Sequence, residues 1–383
     1  MTRPTRRTRR AGLIGGVAVL LTLVGAAAHA DPTGTPGQPI PGKSDSQLYA
    51  GVGADAFAEL SNNLVADYNA TNPTNLLESF DAVDPVDPTN TANITTKPGC
   101  SIARPNGANA GITAITQNLK SSLPDGDGTS YCIDWVRSSR AKGAAAAEQN
   151  LTFYAQSRDA VGYATLGNAY APTTGLTTAQ LKGIFECTVT DWSQVGGQPG
   201  AIDVYLPPDT SATLTFFLSA IGSSLATVHA NCDGLPTTFH GQQNDGRTLE
   251  GDPLGIAPYA VTKWAAQTNA DLATGAPAGI ADNRGGAVIG AVNSTSPGRA
   301  PTTTSTFDGV TYTVLNPAYA SDTSASFGRY FFNAVRNTAP DDLKAVFSTS
   351  GYLCQHEDAL LVPFGNTPLG LDTSQARYCG QTS

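Results

Sequence analysis

The chain has 383 residues, 14% of them charged and 40% hydrophobic, with 40 glycines, 25 prolines and a formal net charge of −9. That acidity excludes nucleic acid and anionic membrane surfaces as partners, since both are bound through surplus Lys and Arg. The length is too great for one ordinary core and predicts about two domains, loop-rich but globular.

The first residues, MTRPTRRTRR, are basic; AGLIGGVAVLLTLVGAAA is apolar; and Ala28-His29-Ala30 precedes Asp31. A basic start, an apolar run and a small-x-small site predict a secretory signal peptide over residues 1–30, with a membrane anchor as the second reading. The arginine pairs leave the general and the twin-arginine export routes both open. Cleavage would remove Arg3, Arg6, Arg7, Arg9 and Arg10 and no acid, so the exported chain is more acidic still. Any anion it binds must be held by local dipoles and not by the overall field. Residues 31–46 (DPTGTPGQPIPGKSDS) read as a disordered leader.

After the leader, short strands alternate with helices. LYAGVGADAFAELSNNLVADYNA reads as strand, glycine loop and helix, with Phe57, Leu60, Leu64, Val65 and Tyr68 on one face. ITAITQNLKSSL repeats the helical rhythm through Ile112, Ile115, Leu119 and Leu123. SYCIDWV is strand-like and runs into RSSRAKGAAAAEQ, a polar turn and an alanine-rich helix. LTFYAQSRDAVGYAT reads as extended chain. GLTTAQLKGIF carries a capping signal, Thr177-x-x-Gln180, ahead of Leu181, Ile184 and Phe185. IDVYLPPDTSATLTFFLSAIGSSL is again strand, loop and helix, and GDPLGIAPYAVTKWAAQ is a strand leading to a helix. Near the end, GVTYTVL reads as a strand and FGRYFFNAVRN as a helix. No other segment is long and apolar enough to span a bilayer. The alternation predicts an α/β fold with mainly parallel pairing.

Six cysteines, Cys100, Cys132, Cys187, Cys232, Cys354 and Cys379, form an even set in a chain with an export signal, so disulfides are expected. Consecutive pairing is favoured because each bridge then closes a loop within one region. There is no CxxC, and His229, His240 and His356 show no ligand spacing, so neither a metal nor a cofactor is expected.

Four places share one construction, in which a strand ends, a small polar loop follows and a helix begins. They are GVGAD (51–55), RPNGANAG (104–111), RSSR (137–140) and DTSAT (209–213). Helix starts leave N–H groups without partners and carry the positive end of the dipole, and small residues let an anion approach them. Ser and Thr hydroxyls and the arginine fork add donors. For any single loop, Asp55, Asn106, Ser138 or Ser211 acting as an N-cap is the plainer reading. RPNGANAG is neither a Walker loop nor GxGxxG. A nucleophile elbow, GxSxG, is absent. His240 reads as a surface polar residue, and Glu357-Asp358 as solvated charge. No residue set argues for an enzyme; a phosphatase-like hydrolase stays as the remote alternative.

The order of these loops, together with LTTAQLKGIFECTVTDWSQVGG (176–197), NDGR (244–247) and GIAPYAVTKW (255–264), resembles the phosphate-binding proteins of bacterial ABC importers, most of all their secreted actinobacterial branch. The resemblance implies the type II periplasmic-binding-protein fold: two α/β domains joined by two crossing strands that close over a ligand. It places domain I at 46–156 plus 260–383, domain II at 157–259, and the crossing strands at 151–165 and 255–261. It implies a monomer that binds inorganic phosphate or a similar oxyanion and delivers it to an importer permease. Carried over position by position, the ligand residues are Asn106, Gly107, Ser138, Ser139, Arg140, Ser211 and Thr213, with Asp55 in the first loop. Two departures stand out. The first loop reads Ala54-Asp55-Ala56-Phe57 where relatives are rich in hydroxyls, and Leu214 stands where relatives carry Arg. Asp55 could accept a hydrogen bond from a protonated phosphate oxygen, or repel a full anion. These departures favour an alternative, a secreted wall-associated or adhesive protein that keeps the fold without the ligand.

Overall fold

A computed structural model describes residues 31, 48–72, 76–84, 87, 92–122, 130–293, 300–320 and 327–383. The expected signal peptide, nearly all of the expected leader, and Leu123 lie outside the described residues.

The first half opens with β1 (Leu48–Gly53), a 3-10 turn (Asp55–Phe57) and α1 (Ala58–Thr71). There follow β2 (Leu76–Ser79), a hairpin of β3 (Ile94–Lys97) and β4 (Cys100–Ile102), then α2 (Ala108–Thr116) and β5 (Trp135–Ser138). Phe57, Leu60, Leu64 and Tyr68 are buried along one face, as the 3.6-residue period requires. α2 buries Ile112 and Ile115 but ends at Thr116, which leaves Leu119 45% exposed.

The long β6 (Leu151–Leu166) then runs into α3 (Thr178–Phe185), β7 (Asp203–Leu206), α4 (Ala212–Ala220), α5 (Leu225–Cys232), β8 (Thr238–His240) and β9 (Gly255–Ala260). α3 starts with the expected capping box: Thr177 accepts from the Gln180 backbone and Gln180 returns the bond. A second box, Asp191 with Gln194, opens the DWSQV turn. These two boxes explain why the 176–197 segment reads so clearly as local structure. Leu181, Ile184, Phe185, Trp192, Phe217 and Ile256 pack into one core.

After β9 come α6 (Val261–Asn269), β10 (Ala287–Ile289), a hairpin of β11 (Thr302–Phe307) and β12 (Val310–Leu315), α7 (Pro317–Ala320) and β13 (Gly328–Arg336). The chain ends with α8 (Asp341–Phe347), α9 (Tyr352–Gln355), α10 (Glu357–Leu361) and β14 (Thr367–Pro368).

The principal sheet has the order β2-β1-β5-β13-β6-β9-β7-β8, with β10 and β14 also paired to β6. Pairing is parallel for β1 with β2 and β5, and for β7 with β8 and β9. It is antiparallel at the centre, where β13 pairs with β5 and β6, and β6 with β9. The expected mainly parallel sheet is therefore mixed. β6 is the link: its first part pairs with β13 and its last part with β9 and β10. Among the described residues, no single helix is long and apolar enough to cross a membrane.

Two expected helices are corrected. FGRYFFNAVRN forms β13, a strand in the middle of the sheet with Phe331, Phe332, Ala334 and Val335 buried. A strand covered on both faces shows a near-continuous apolar run, and periodicity then cannot separate it from a buried helix. AKGAAAAEQ gives only a 3-10 turn at Ala146–Asn150. Alanine propensity alone does not sustain a short helix without an apolar face to bury. The disulfides pair consecutively: Cys100–Cys132, Cys187–Cys232 and Cys354–Cys379.

Candidate functional site

Three of the four predicted loops do lead into helices, and the sheet brings their starts together. A bridge joins Gly53 to Asn106, which sets the end of β1 against the start of α2. Gly107, the N-cap of α2, has φ 105°, and a Cβ there would lie 2.9 Å from the Thr210 carbonyl oxygen just before α4. Glycine is therefore needed both for its backbone conformation and for contact between the two helix starts. The fourth loop, RSSR, ends β5 beside them but leads into no helix; Ser138 and Ser139 are buried there.

The plain capping reading holds at only one of the four positions. Ser211 accepts from the Leu214 N–H at 3.1 Å and donates to Gln243 Oε1 at 2.5 Å. Asp55 is the first residue of its 3-10 turn, not its cap. Asn106 precedes the cap of α2, and no side chain caps that helix. The first N–H groups of α2 thus have no partner within the helix, and they follow directly on Gly107, which touches the start of α4.

The other predicted residues differ in how far they are already committed. Ser138 donates to the Arg140 carbonyl at 2.7 Å and accepts from the Arg140 N–H at 3.3 Å, so its hydroxyl is used within its own turn. Ser139 is 2% exposed, and its hydroxyl has no partner among the described residues. Arg140 turns to Glu148, with bonds of 2.8 and 3.0 Å, and to Asn109 Oδ1 at 2.7 Å. Its guanidinium thereby ties β5 to the first turn of α2. Thr213 is buried and accepts from Arg329 at 3.1 Å. Asn106 accepts from Gln243 at 3.3 Å.

Sequence reasoning missed five residues at this junction. Gln243 bridges Ser211 and Asn106, joining the α4 side to the α2 side. Asn244, at φ 57°, donates to Asp55 at 3.0 Å and accepts from the Ala260 N–H at 2.9 Å. Both lie in or beside the NDGR motif, which was the available signal. Arg137 is fully buried and donates to Ala54 O, Ser79 Oγ and Phe80 O, bracing the first loop from beneath. Asp159 and Arg329 pair at 2.7 Å, with side chains 0% and 2% exposed. Arg329 lay in the segment read as a helix, and Asp159 in a run read as extended chain.

The first loop is acidic in character. A cavity of about 170 Å³ beside it is lined by Asp55, Glu59, Asp81, Asp245 and Lys263, among others. Burial pushes the Asp55 carboxyl up; Lys263 opposes the shift and Glu59 adds to it. Burial and then Glu59 push Asp81 up to about 7. Lys263 is bonded to Glu59, and Arg247 to Asp245 at 2.5 Å. The arrangement offers oriented N–H groups and hydroxyls on the α2 and α4 side, and a proton-holding carboxyl on the other.

Comparison with known proteins agrees with this architecture. A family model described as a PBP superfamily domain matches residues 105–355. No curated protein sequence matches at a significant level. Among solved structures, the chain is similar to a Clostridium perfringens protein described as a phosphate ABC transporter substrate-binding protein with bound phosphate. Identity is 14%, coverage 83% of this chain and 98% of that one, and the TM-score 0.53. An ABC-type phosphate transport receptor from Vibrio cholerae matches at 16% identity over 83% of this chain and 98% of that one, with a TM-score of 0.49. The family match over most of the chain, on an α/β frame whose long strand links two sets of parallel strands, shows that the protein belongs to the PBP superfamily and has the type II periplasmic-binding-protein fold.

Proposed function

We propose that the protein is an extracellular solute-binding protein that takes an oxyanion, inorganic phosphate first, where the loops at Ala54, Asn106 and Ser211 converge. The observation that carries this reading is the contact between the starts of α2 and α4, with the buried residues Ser139 and Thr213 supplying hydroxyls in the adjoining loops. Unpartnered N–H groups, small residues and hydroxyls around one point are what an oxyanion requires. Phosphate is the first ligand to try because the Clostridium perfringens relative is described with it bound. In this reading Asn106, Gly107, Ser139, Ser211 and Thr213 face the ligand. Ser138 and Arg140 shape the loop that presents it, and Asp55 accepts a hydrogen bond from a protonated ligand oxygen. Residues 46–156 with 260–383, and residues 157–259, would be the two domains, closing about β6 and β9. The N-terminal signal supports secretion, and an importer permease is the partner that the fold supports.

A second reading, a wall-associated or adhesive protein on the same fold, draws on one observation. Arg137, Arg140, Arg247, Lys263 and Arg329 all have protein partners already, and a carboxyl stands in the first loop. Titration calorimetry with inorganic phosphate and with sulfate separates the two. One bound oxyanion per chain is expected; absence of heat with both would leave the second reading standing. Turnover of a generic phosphoester by purified protein would instead reopen the hydrolase alternative.

A further inference from the structure

We infer that Arg329 is the cation that meets the bound oxyanion, delivered from β13 to the start of α4, whose own loop (LPPDTSATLT, 206–215) holds no Lys or Arg. This inference rests on the oxyanion reading above.

A guanidinium has five N–H groups. Arg329 uses Nε on Asp159 at 2.7 Å, Nη2 on Thr213 Oγ1 at 3.1 Å and Nη1 on the Ala212 carbonyl at 3.4 Å. One N–H on each Nη is left without an acceptor among the described residues, inside a side chain 2% exposed. Thr213 has the same surplus. Its oxygen accepts from Arg329, its own hydroxyl proton has no acceptor among the described residues, and the residue is 2% exposed. Buried donors without acceptors are costly unless a partner arrives.

Charge points the same way. The start of α4 carries the positive end of a nine-residue helix, and a cation held there is unfavourable by itself. Asp159 offsets part of that charge, but its Oδ1 is also occupied by the Thr262 N–H at 3.2 Å and hydroxyl at 2.7 Å, at the start of α6. An oxyanion beside Thr213 would satisfy the spare donors and the helix end together. The guanidinium is also fixed in place: Phe331 and Phe216 flank it at 5.6 and 5.8 Å, and Phe331 stacks on Phe57 of the opposite loop at 4.2 Å. The alternative is a brace between β6 and β13 with no ligand role.

Calorimetry with inorganic phosphate on folded variants decides between these. Arg329→Gln combined with Asp159→Asn removes both charges and keeps hydrogen-bonding groups of similar size, so no buried charge is left unpaired. A loss of affinity of at least about 30-fold is expected. Arg329→Lys keeps the charge and the Asp159 pair but not the fork, and should bind about 10-fold more weakly than the native chain and better than the double variant. Phosphate binding at native affinity by Arg329→Lys or by the double variant would reduce Arg329 to a brace. Failure of the native chain to bind phosphate or sulfate would instead remove the oxyanion reading, and this inference with it.

Discussion

The loop before α1 and the loop before α4 share a plan and differ in chemistry. Each follows a strand of the principal sheet, nearly all buried in β1 and alternately buried in β7, and each delivers a helix start to the same junction. At α4 the cap is a serine, the next turn offers a threonine hydroxyl, and a buried arginine approaches from another strand. At the first loop there is no side-chain cap, and Asp55 stands at the entrance beside a carboxylate-lined cavity. One helix start therefore carries hydroxyls and a nearby guanidinium, and the other a carboxyl beside further carboxylates. Strand–loop–helix geometry creates the opening in both cases, but the side chains reaching it from distant elements decide its sign.

The largest expected effect on that contrast comes from removing what holds the α4 wall. Cys187 at the end of α3 is bridged to Cys232 in α5 across 45 residues. The paired change Cys187→Ala with Cys232→Ala should cost about 2–4 kcal/mol in denaturant unfolding. Oxyanion affinity should fall with it if the wall needs that support. Next is the contact between the walls. Gly107→Val places a β-branched side chain at φ 105° against the Thr210 carbonyl, and a loss of about 2 kcal/mol or more in thermal unfolding is expected.

The acidic wall responds to pH. Asp81 has a folded pKa raised to about 7 from an ordinary value of 3.8. A raised carboxyl contributes stability that is fully present below the unfolded pKa and is lost as pH climbs through the folded one. Stability should decline between about pH 4 and pH 7, by at most about 1.4 kcal/mol per pH unit from this group. Asp81→Asn should flatten that part of a melting-temperature profile; an unchanged profile would show that the carboxyl does not hold its proton. The smallest effect is expected at the α4 cap. Ser211→Ala should cost about 1 kcal/mol of stability and release Gln243 from one of its two partners.

Much of the frame was legible. The Thr177–Gln180 capping box, the consecutive cysteine pairs and the glycine-bounded strands β1, β6 and β9 all rest on short-range rules or on simple loop closure. The α/β class followed from the alternation of strands and helices. The failures share a cause. β13 was read as a helix because a strand buried on both faces loses its alternation, and its true role depended on β5 and β6 flanking it. Arg140, expected at the ligand, was within reach of Glu148 only because the segment after it folds back as a 3-10 turn. The loops singled out for their small polar residues do meet: Asn106, Gly107, Ser211 and Thr213 stand at one junction.

The sequence by itself determined where α3 begins, which loops are small and polar, that the cysteines can close local loops, and that no surplus of cations would attract an anion from a distance. Only the tertiary structure decided which charges stand at the junction. Arg329 reaches Thr213 across 116 positions and Asp159 across 170, and Asn244 meets Asp55 across 189. Local pattern constrains backbone conformation over a few residues. The electrostatics of a cleft, in contrast, are set by side chains brought together when the sheet assembles, and burial then magnifies each unpaired donor and each carboxyl.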